Sequence, residues 1–406
     1  MKNQSSFTLI ELLIVIGVLA VLATVAVLAL NPLELIKQAR DSQRMADLGT
    51  LNKALAVYQS SGQTNLGTVN TVYVSIPKNV AADCSDLGLP ILPSGWTYGC
   101  VASSTLRNSN GTGWIPLNFS LVSYGTPLEK LPVDPINSTT TRNYYTYTPG
   151  GSWEFTTAME SAKYKMGGGS DKTSKDGGQY PGLYEEGTNL SLLPIDYGDS
   201  SLVGYWKFDE GSGSIAYDAS GNNATGTWSG SGTHYTSGKI GSYAGQFNGT
   251  DDSISVPDSN KFTSTDITIS SWINVVGSFS SYNPIFYHRQ DGNNRIDIGV
   301  MNGGFYCTFS NGTSYNPSYY NAALNSGTGW IMWTCQWNGS TVKYYLNGVN
   351  VNNESFSGTL PNINANLQIG SRLASSQYFN GLIDDVRVYN RALSAAEVSA
   401  IYNATK

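Results

Sequence analysis

Between Leu12 and Leu30 the chain carries no charged side chain, and Glu11 stands directly in front of that run. A stretch of roughly 19 apolar residues is long enough to cross a bilayer, so the amino terminus is committed to a long hydrophobic helix. The acid is the informative exception. A carboxylate at membrane depth costs roughly 2.5 to 3.5 kcal/mol on insertion scales, so it implies a partner or a role. A secretory signal has a shorter apolar stretch of ~7 to 15 residues followed by a small-residue cleavage site. Here the run continues into Asn31-Pro32-Leu33-Glu34 without such a site, and a retained span over about residues 9–30 is expected. Lys2 and the amino terminus are the only positive groups ahead of it. They place the first residues on the cytoplasmic side and everything after Leu30 outside.

The segment Ser5-Ser6-Phe7-Thr8-Leu9-Ile10-Glu11-Leu12-Leu13-Ile14-Val15 resembles the class III signal of type IV pilins and pseudopilins. The resemblance implies a leader over residues 1–6, cut by a prepilin peptidase between Ser6 and Phe7, and methylation of the new amine. Ser6 stands where the family usually has Gly. An α-amino group titrates near ~8, so the Phe7 amine would be largely protonated and would pair with Glu11 of a neighbouring subunit. Between staggered chains that pair sets register.

From Met45 through Leu48, Leu51, Leu55 and Tyr58 the apolar residues recur three and four apart, the mark of an amphipathic helix. The helix is therefore expected over residues 7–62, with Gly62 as its stop and a kink or local melting at Pro32, which lacks a backbone donor. Its apolar stripe covers a sheet. Lys37, Arg40, Asp41, Arg44 and Asp47 are read as solvated or intersubunit faces.

With 406 residues, 44 Gly, 26 Tyr and 13% charged residues, the rest fits β-rich exported modules, and a net charge of -6 argues against nucleic acid as the main partner. Four cysteines permit two disulfides. Cys84 with Cys100 is the local pairing, and Cys307 with Cys335 could meet in a core; two buried thiols remain the alternative. Residues 63–165 read as a small αβ head on an antiparallel sheet, with strand candidates at 71–76, 96–101, 144–148 and 153–159. Leu131-Pro132-Val133-Asp134-Pro135-Ile136-Asn137 ahead of Tyr144-Tyr145-Thr146-Tyr147 is similar to a stretch of pilin and major pseudopilin heads. Residues 166–198 read as a Gly/Ser-rich linker and the end of the head. The tract 167–178 is taken as flexible on composition, with a calcium loop at Asp171 and Asp176 as the alternative.

Beyond about Gly198 the pattern changes to short strands and tight turns. Asn248-Gly249, Asn302-Gly303, Asn311-Gly312, Asn338-Gly339, Asn347-Gly348 and Asn380-Gly381 are hairpin signals between β-prone residues. An all-β jelly-roll sandwich over residues 199–406 follows. The motifs Gly204-Tyr205-Trp206-Lys207-Phe208-Asp209, Gln246-Phe247-Asn248-Gly249-Thr250-Asp251-Asp252, Ser271-Trp272-Ile273 and Gly381-Leu382-Ile383-Asp384-Asp385-Val386-Arg387-Val388-Tyr389 resemble the laminin-G-like, concanavalin A-like lectin/glucanase fold. Ser394 and Glu397 form a capping box that opens a closing helix.

Glycoside cleavage needs a carboxylate pair ~5 to 5.5 Å apart for retention, or wider for inversion. Asp251-Asp252 and Asp384-Asp385 are sequence neighbours that a strand sends to opposite faces, and His234 and His288 read as surface or loop residues. No catalytic residue is assigned, and no enzyme activity is expected. The resemblance implies a structural calcium ion, with Asp384, Asp209, Asn248 and Gly249 as the matching ligands, against the alternative that these acids cap turns. Glycan recognition would use aromatic faces among Trp272, Tyr287, Tyr306, Trp333, Trp337 and Tyr378; the ligand-binding residues are unassigned. Together the resemblances imply a membrane-inserted subunit, its carboxy terminus outside, that joins other pilin subunits in a filament and displays a lectin-like module to a glycan or cell-surface ligand. A pseudopilin of a secretion or DNA-uptake machine and a non-assembling anchored surface protein are the rivals.

Overall fold

The computed structural model describes residues 8–406 except 79–82, 124, 259–261, 263, 277–281, 317, 323, 325–326 and 373–376, and of 25–30 and 318 only the backbone. Ser6 and Phe7 lie outside the described residues. Helix α1 (Leu9–Leu30) has 22 residues, about 33 Å at 1.5 Å per residue. Its side chains from Leu9 to Thr24 are all exposed. Among the described residues no helix is long and apolar enough to cross a membrane. Thr8 opens α1 by exchanging bonds with Glu11: Glu11 N donates to Thr8 Oγ1 (3.3 Å), and Thr8 N and Oγ1 donate to Glu11 Oε2 (2.8 and 2.9 Å).

The helix melts locally where expected, one residue ahead of Pro32. Asn31 takes a left-handed conformation (φ 40°), its side chain accepts from Glu34 N, and Pro32 begins α2 (Pro32–Ser60). Asn tolerates that geometry and Pro needs no donor in a first turn, so the two residues end one helix and start the next.

The stripe Leu48, Leu51, Leu55 and Tyr58 of α2 is buried as its spacing requires. The charged residues are not where the sequence suggests. Asp41 and Arg44 are fully buried. Arg44 pairs with Asp41 (2.8 Å), Asp134 and Glu160, and Asp41 also accepts from Glu160 N and Ser161 N (2.9 and 2.8 Å). Asp134, from the Leu-Pro-x-Asp-Pro stretch, accepts from Ile136 N as well (2.8 Å), and Tyr145 Oη donates to Asp47 (2.8 Å). Burial pushes the Glu160 carboxyl up, but hydrogen bonds from Arg40 and Arg44 hold it below its usual range. The face read as solvated is the clamp between α2 and the head.

The head sheet comprises β1 (Thr71–Val74), β2 (Thr97–Gly99), β3 (Thr146–Pro149), β4 (Trp153–Ala158) and β5 (Leu183–Gly187), in the order β2-β1-β3-β4-β5. It is mixed, not antiparallel, because β1 and β2 run parallel. The long connection between them, closed by the Cys84–Cys100 disulfide, carries the chain back to the starting end, as parallel pairing demands. The tract 167–178 is not a flexible linker either. Asp171 is buried, accepting from Gly167 N, Thr173 N and Ser174 N (2.7, 3.0 and 3.1 Å), and a Cβ on Gly167 would stand 2.8 Å from Glu397 N. Glycine is needed here for close packing.

The sandwich begins with β6 (Leu202–Trp206), β7 (Ile215–Ala216), β8 (Gly226–Ser229), β9 (Tyr235–Ser237), β10 (Tyr243–Asn248), β11 (Ser253–Val256) and β12 (Ile267–Val275). It continues through β13 (Asn283–Arg289), β14 (Arg295–Met301), β15 (Gly304–Phe309), β16 (Ser318–Tyr320) and β17 (Ile331–Trp337). β18 (Thr341–Leu346), β19 (Val349–Ser355), β20 (Leu367–Ile369), β21 (Asn380–Tyr389) and α3 (Ala395–Thr405) close it. One sheet has the order β19-β18-β17-β12-β21-β10-β9, with β6 beside β21; the other is β16-β15-β14-β13-β20-β11-β8-β7. Between them lies a core that includes Phe286, Ile298, Phe305, Trp333, Trp337 and Val388. The Cys307–Cys335 disulfide crosses that core from β15 to β17. Asn302-Gly303 and Asn347-Gly348 are hairpin turns with positive φ at both residues. Asn380-Gly381 is not a turn: it starts β21, pairing with Asn248 and Phe247.

The outer face of the β12-bearing sheet is covered. Trp272, Met332, Tyr345 and Tyr389 share one apolar cluster with Val398 and Ile401 of α3 and with Val72, Val74, Tyr144, Tyr180 and Tyr197 of the head. Asp196 N donates to Ala219 O (2.7 Å), Ile91 N to Gly221 O (3.0 Å), and Lys207 to Gln179 (2.7 Å) across the same seam. Head and sandwich are fused through a core, not strung on a tether.

Arg44→Ala would strand buried Asp41 and Asp134, and is expected to cost about 3 to 5 kcal/mol, read as a lowered denaturation midpoint; Arg44→Lys should restore only part, lacking the planar fork. At the seam, burial pushes the Asp196 carboxyl up to about 6 from an ordinary 3.8. The folded chain therefore holds this proton more tightly than the unfolded one, and the contribution is full below 3.8 and lost as pH rises through about 6. Asp196→Asn, whose Oδ1 can still accept from Gly198 N, should raise the melting temperature at pH 8 by a few degrees, roughly, and leave it unchanged at pH 4.

Candidate functional site

Of the residues expected to hold calcium, Asp384 and Asp209 approach the same loop, residues 239–243, and feel each other's charge, whereas Asn248 and Gly249 do not join them. Asp384 lies where β21 passes from β10 to β6, and its Oδ2 accepts from Lys239 N and Ile240 N (2.8 and 3.0 Å). Asp209 caps the same loop from the other side, accepting from Ser242 N and Tyr243 N (2.7 and 3.1 Å). Asn248 and Gly249 sit at the far end of β10 from that loop, where Asn248 Oδ1 accepts from Thr250, Asp251 and Asp252 backbone N–H groups. Calcium takes six to eight oxygens; Asp384 Oδ2 and Asp209 Oδ1 face N–H donors, Asp384 Oδ1 is buried without a hydrogen-bond partner, and the described residues contain no group of three or more acids, histidines or cysteines that could hold a metal. Asp218 is a cap too, accepting from Tyr205 N, Ser220 N and Ala224 N (3.0, 2.8 and 2.9 Å).

Asp385 adopts φ 55° at the same hand-over and bonds Tyr205 Oη (2.6 Å) and Arg387 (2.9 Å). Of the histidines, His234 stacks on Trp228 at 4.5 Å. His288 is fully buried in β13, with Nε2 2.8 Å from Ala365 O, and is no surface residue. Burial holds its imidazole below its ordinary value.

Of the aromatic candidates, Trp333 and Trp337 fill the sandwich core and Trp272 belongs to the seam. Tyr287 and Tyr306 alternate with core residues along β13 and β15, so they point to the outer face of the β14-bearing sheet, where Tyr282 and Arg372 lie over them. There a cleft of about 290 Å³ is lined by Tyr282, Tyr306, Tyr315, Tyr319, Arg289 and Arg295, with Arg372 beside them. A Cβ on Gly299 would stand 2.6 Å from Tyr306 Oη, so glycine makes room for that ring. The Arg295 guanidinium stacks on Tyr315 at 3.6 Å and that of Arg372 on Tyr282 at 4.2 Å. Arg372 also pairs with buried Asp297 beneath the floor. Burial pushes both the Asp297 carboxyl and the Tyr306 hydroxyl up.

Flat ring faces beside fixed donors are what a saccharide needs, since its C–H faces stack and its hydroxyls accept. Sequence alone offers Tyr287 and Tyr306 without separating them from core tryptophans. It passed over Tyr282, Tyr315, Tyr319 and the arginines, whose convergence depends on strand order. The alternation of Phe305, Cys307 and Phe309 with Tyr306 and Thr308 was the available signal.

The profile of the Prokaryotic N-terminal methylation motif matches residues 1–27. That of the Concanavalin A-like lectin/glucanases superfamily matches residues 248–399. No curated protein matches the chain. Among solved structures, domain 4 of AbnA, a GH43 extracellular arabinanase from Geobacillus stearothermophilus, in complex with arabinotriose, is similar at 26% identity and TM-score 0.41, over 50% of this chain and 98% of that one. The receptor binding domain of botulinum neurotoxin C/D mosaic serotype is similar at 17% identity and TM-score 0.40, over 50% and 51%. The binding domain of Paraclostridial Mosquitocidal Protein 1 is similar at 18% and 0.41, over 50% and 52%. This chain thus joins a type IV pilin-like amino-terminal part, whose motif implies prepilin peptidase processing and translocation to the membrane surface, to a concanavalin A-like sandwich.

Proposed function

We propose that the chain is a subunit of a type IV pilus-like filament that holds a glycan-binding sandwich outward for attachment to cell surfaces. The observation that carries the reading is the two-sidedness of the sandwich. One sheet is sealed against head and α3, while the opposite sheet bears the tyrosine and arginine cleft. Assembly through α1 would then leave the cleft facing away from the seam. Head-to-tail contacts of one surface with another do not close and so generate filaments, and many weak clefts on one fibre gain by multivalency.

Glu11 is the assembly residue in this reading. In the single chain its carboxylate satisfies Thr8 N and Oγ1, and a methylated Phe7 amine of a neighbour would replace those bonds with an ion pair. The sandwich binds rather than cleaves: among the described residues no carboxylate lines the cleft, and buried Asp297 has its partner in Arg372.

Glu11→Ala should abolish fibres in electron micrographs while the subunit stays in the membrane; fibres at undiminished yield would refute assembly through that acid. Mass spectrometry of the mature chain should find a methylated amino-terminal Phe7. On a glycan array, detergent-solubilised full-length protein should bind with and without a chelator, and Tyr315→Ala should weaken binding about tenfold, the scale of one stacking contact; silence across the array would refute the glycan reading.

A further inference from the structure

Arg289 and Arg295 face each other directly across β13 and β14, so their side chains leave the sheet on the same side. Like charges placed opposite one another destabilise a strand pair, and a structural pair is normally accompanied by a counter-charge. Neither arginine has an ion pair within 4.0 Å among the described residues, in contrast to Arg372, which has Asp297. The Arg289 donors reach only neutral oxygens, Tyr287 Oη (3.3 Å) and Asp291 O (3.0 Å). Arg295 Nε is buried with no hydrogen-bond partner at all, while Tyr306 Oη on the adjoining strand is turned toward the Asp297 carboxylate. Unmet buried donors are costly, most of all when charged.

The three guanidiniums of the cleft outnumber by one the carboxylates of Asp297, beneath it, and Asp291, beside Arg289, on a chain whose net charge is -6. The surplus is local and is not a by-product of composition. A guanidinium presents its donors as a planar fork that fits a carboxylate with two parallel bonds. The stacked Tyr315 ring fixes the Arg295 plane beside the place where a sugar ring would lie. We infer that the cleft takes saccharides bearing a carboxylate, with Arg295 and Arg289 gripping the acid and the exposed Tyr315 the ring. This inference rests on the glycan reading and narrows it to acidic sugars.

The test uses the full-length protein in detergent and matched ligand pairs: oligomers of galacturonate, glucuronate and mannuronate against their methyl esters, and 3′-sialyllactose against lactose. At least one acid is expected to bind about tenfold or more tightly than its neutral twin, the scale of one charge-assisted bond, with a preference that shrinks as salt is raised. Arg295→Gln and Arg289→Gln should each erase most of that preference while leaving the melting temperature unchanged or higher, because they relieve the facing charges. A purely structural pair would instead lower it. Arg295→Lys should recover only part of the preference. Neutral twins that bind as well as the acids would overturn the inference and leave the glycan reading standing; if no saccharide of either kind binds, both fall.

Discussion

The seam between head and sandwich is the constraint on which the rest depends. Burying Trp272, Tyr345 and Tyr389 of one sheet together with Tyr144, Tyr180 and Tyr197 of the head removes a large apolar surface from water, the dominant favourable term in such packing. It also consumes one of the sandwich's two faces. What remains for recognition is decided by that subtraction, and so is the direction in which it looks relative to α2.

The seam works only because α2 is itself fixed. Its apolar stripe alone would allow sliding along the sheet, since Leu and Tyr contacts are not directional. The buried Arg44, committed to Asp41, Asp134 and Glu160, admits one register. Buried ion groups are weak sources of stability but good selectors of arrangement when fully partnered. Asp134 also explains why a rigid Pro-flanked stretch precedes the paired head strands: it carries the acid to the helix.

Much of this was legible in the residue order. The apolar run fixed α1, the spacing of Leu48, Leu51, Leu55 and Tyr58 fixed the buried face of α2, and Asn-Gly pairs at 302 and 347 marked true hairpins. Failures came where meaning depends on a distant partner. Arg44 reads as solvated until Asp134 and Glu160 arrive from elsewhere in the chain. The Gly-rich tract at 167–178 reads as a linker because composition cannot reveal that Asp171 folds it into turns. Asn380-Gly381 carries the right dipeptide in the wrong place, where Gly381 lets Asn274 O approach within 2.4 Å of where a Cβ would stand. The cleft was least visible, since its members come from separate strands and meet only through the order β16-β15-β14-β13.

The disulfide between Cys307 and Cys335 gains a further meaning from its neighbours. Cys307 lies between Tyr306 and Thr308 in the cleft floor, and Cys335 lies in β17, the strand whose Met332 enters the seam. A tug on a bound ligand would therefore travel through a covalent rung into the sheet anchored on the head, bypassing the shear-prone contact between the two layers. In the attachment role proposed above, that mechanical route would carry load that noncovalent sheet packing alone would yield to.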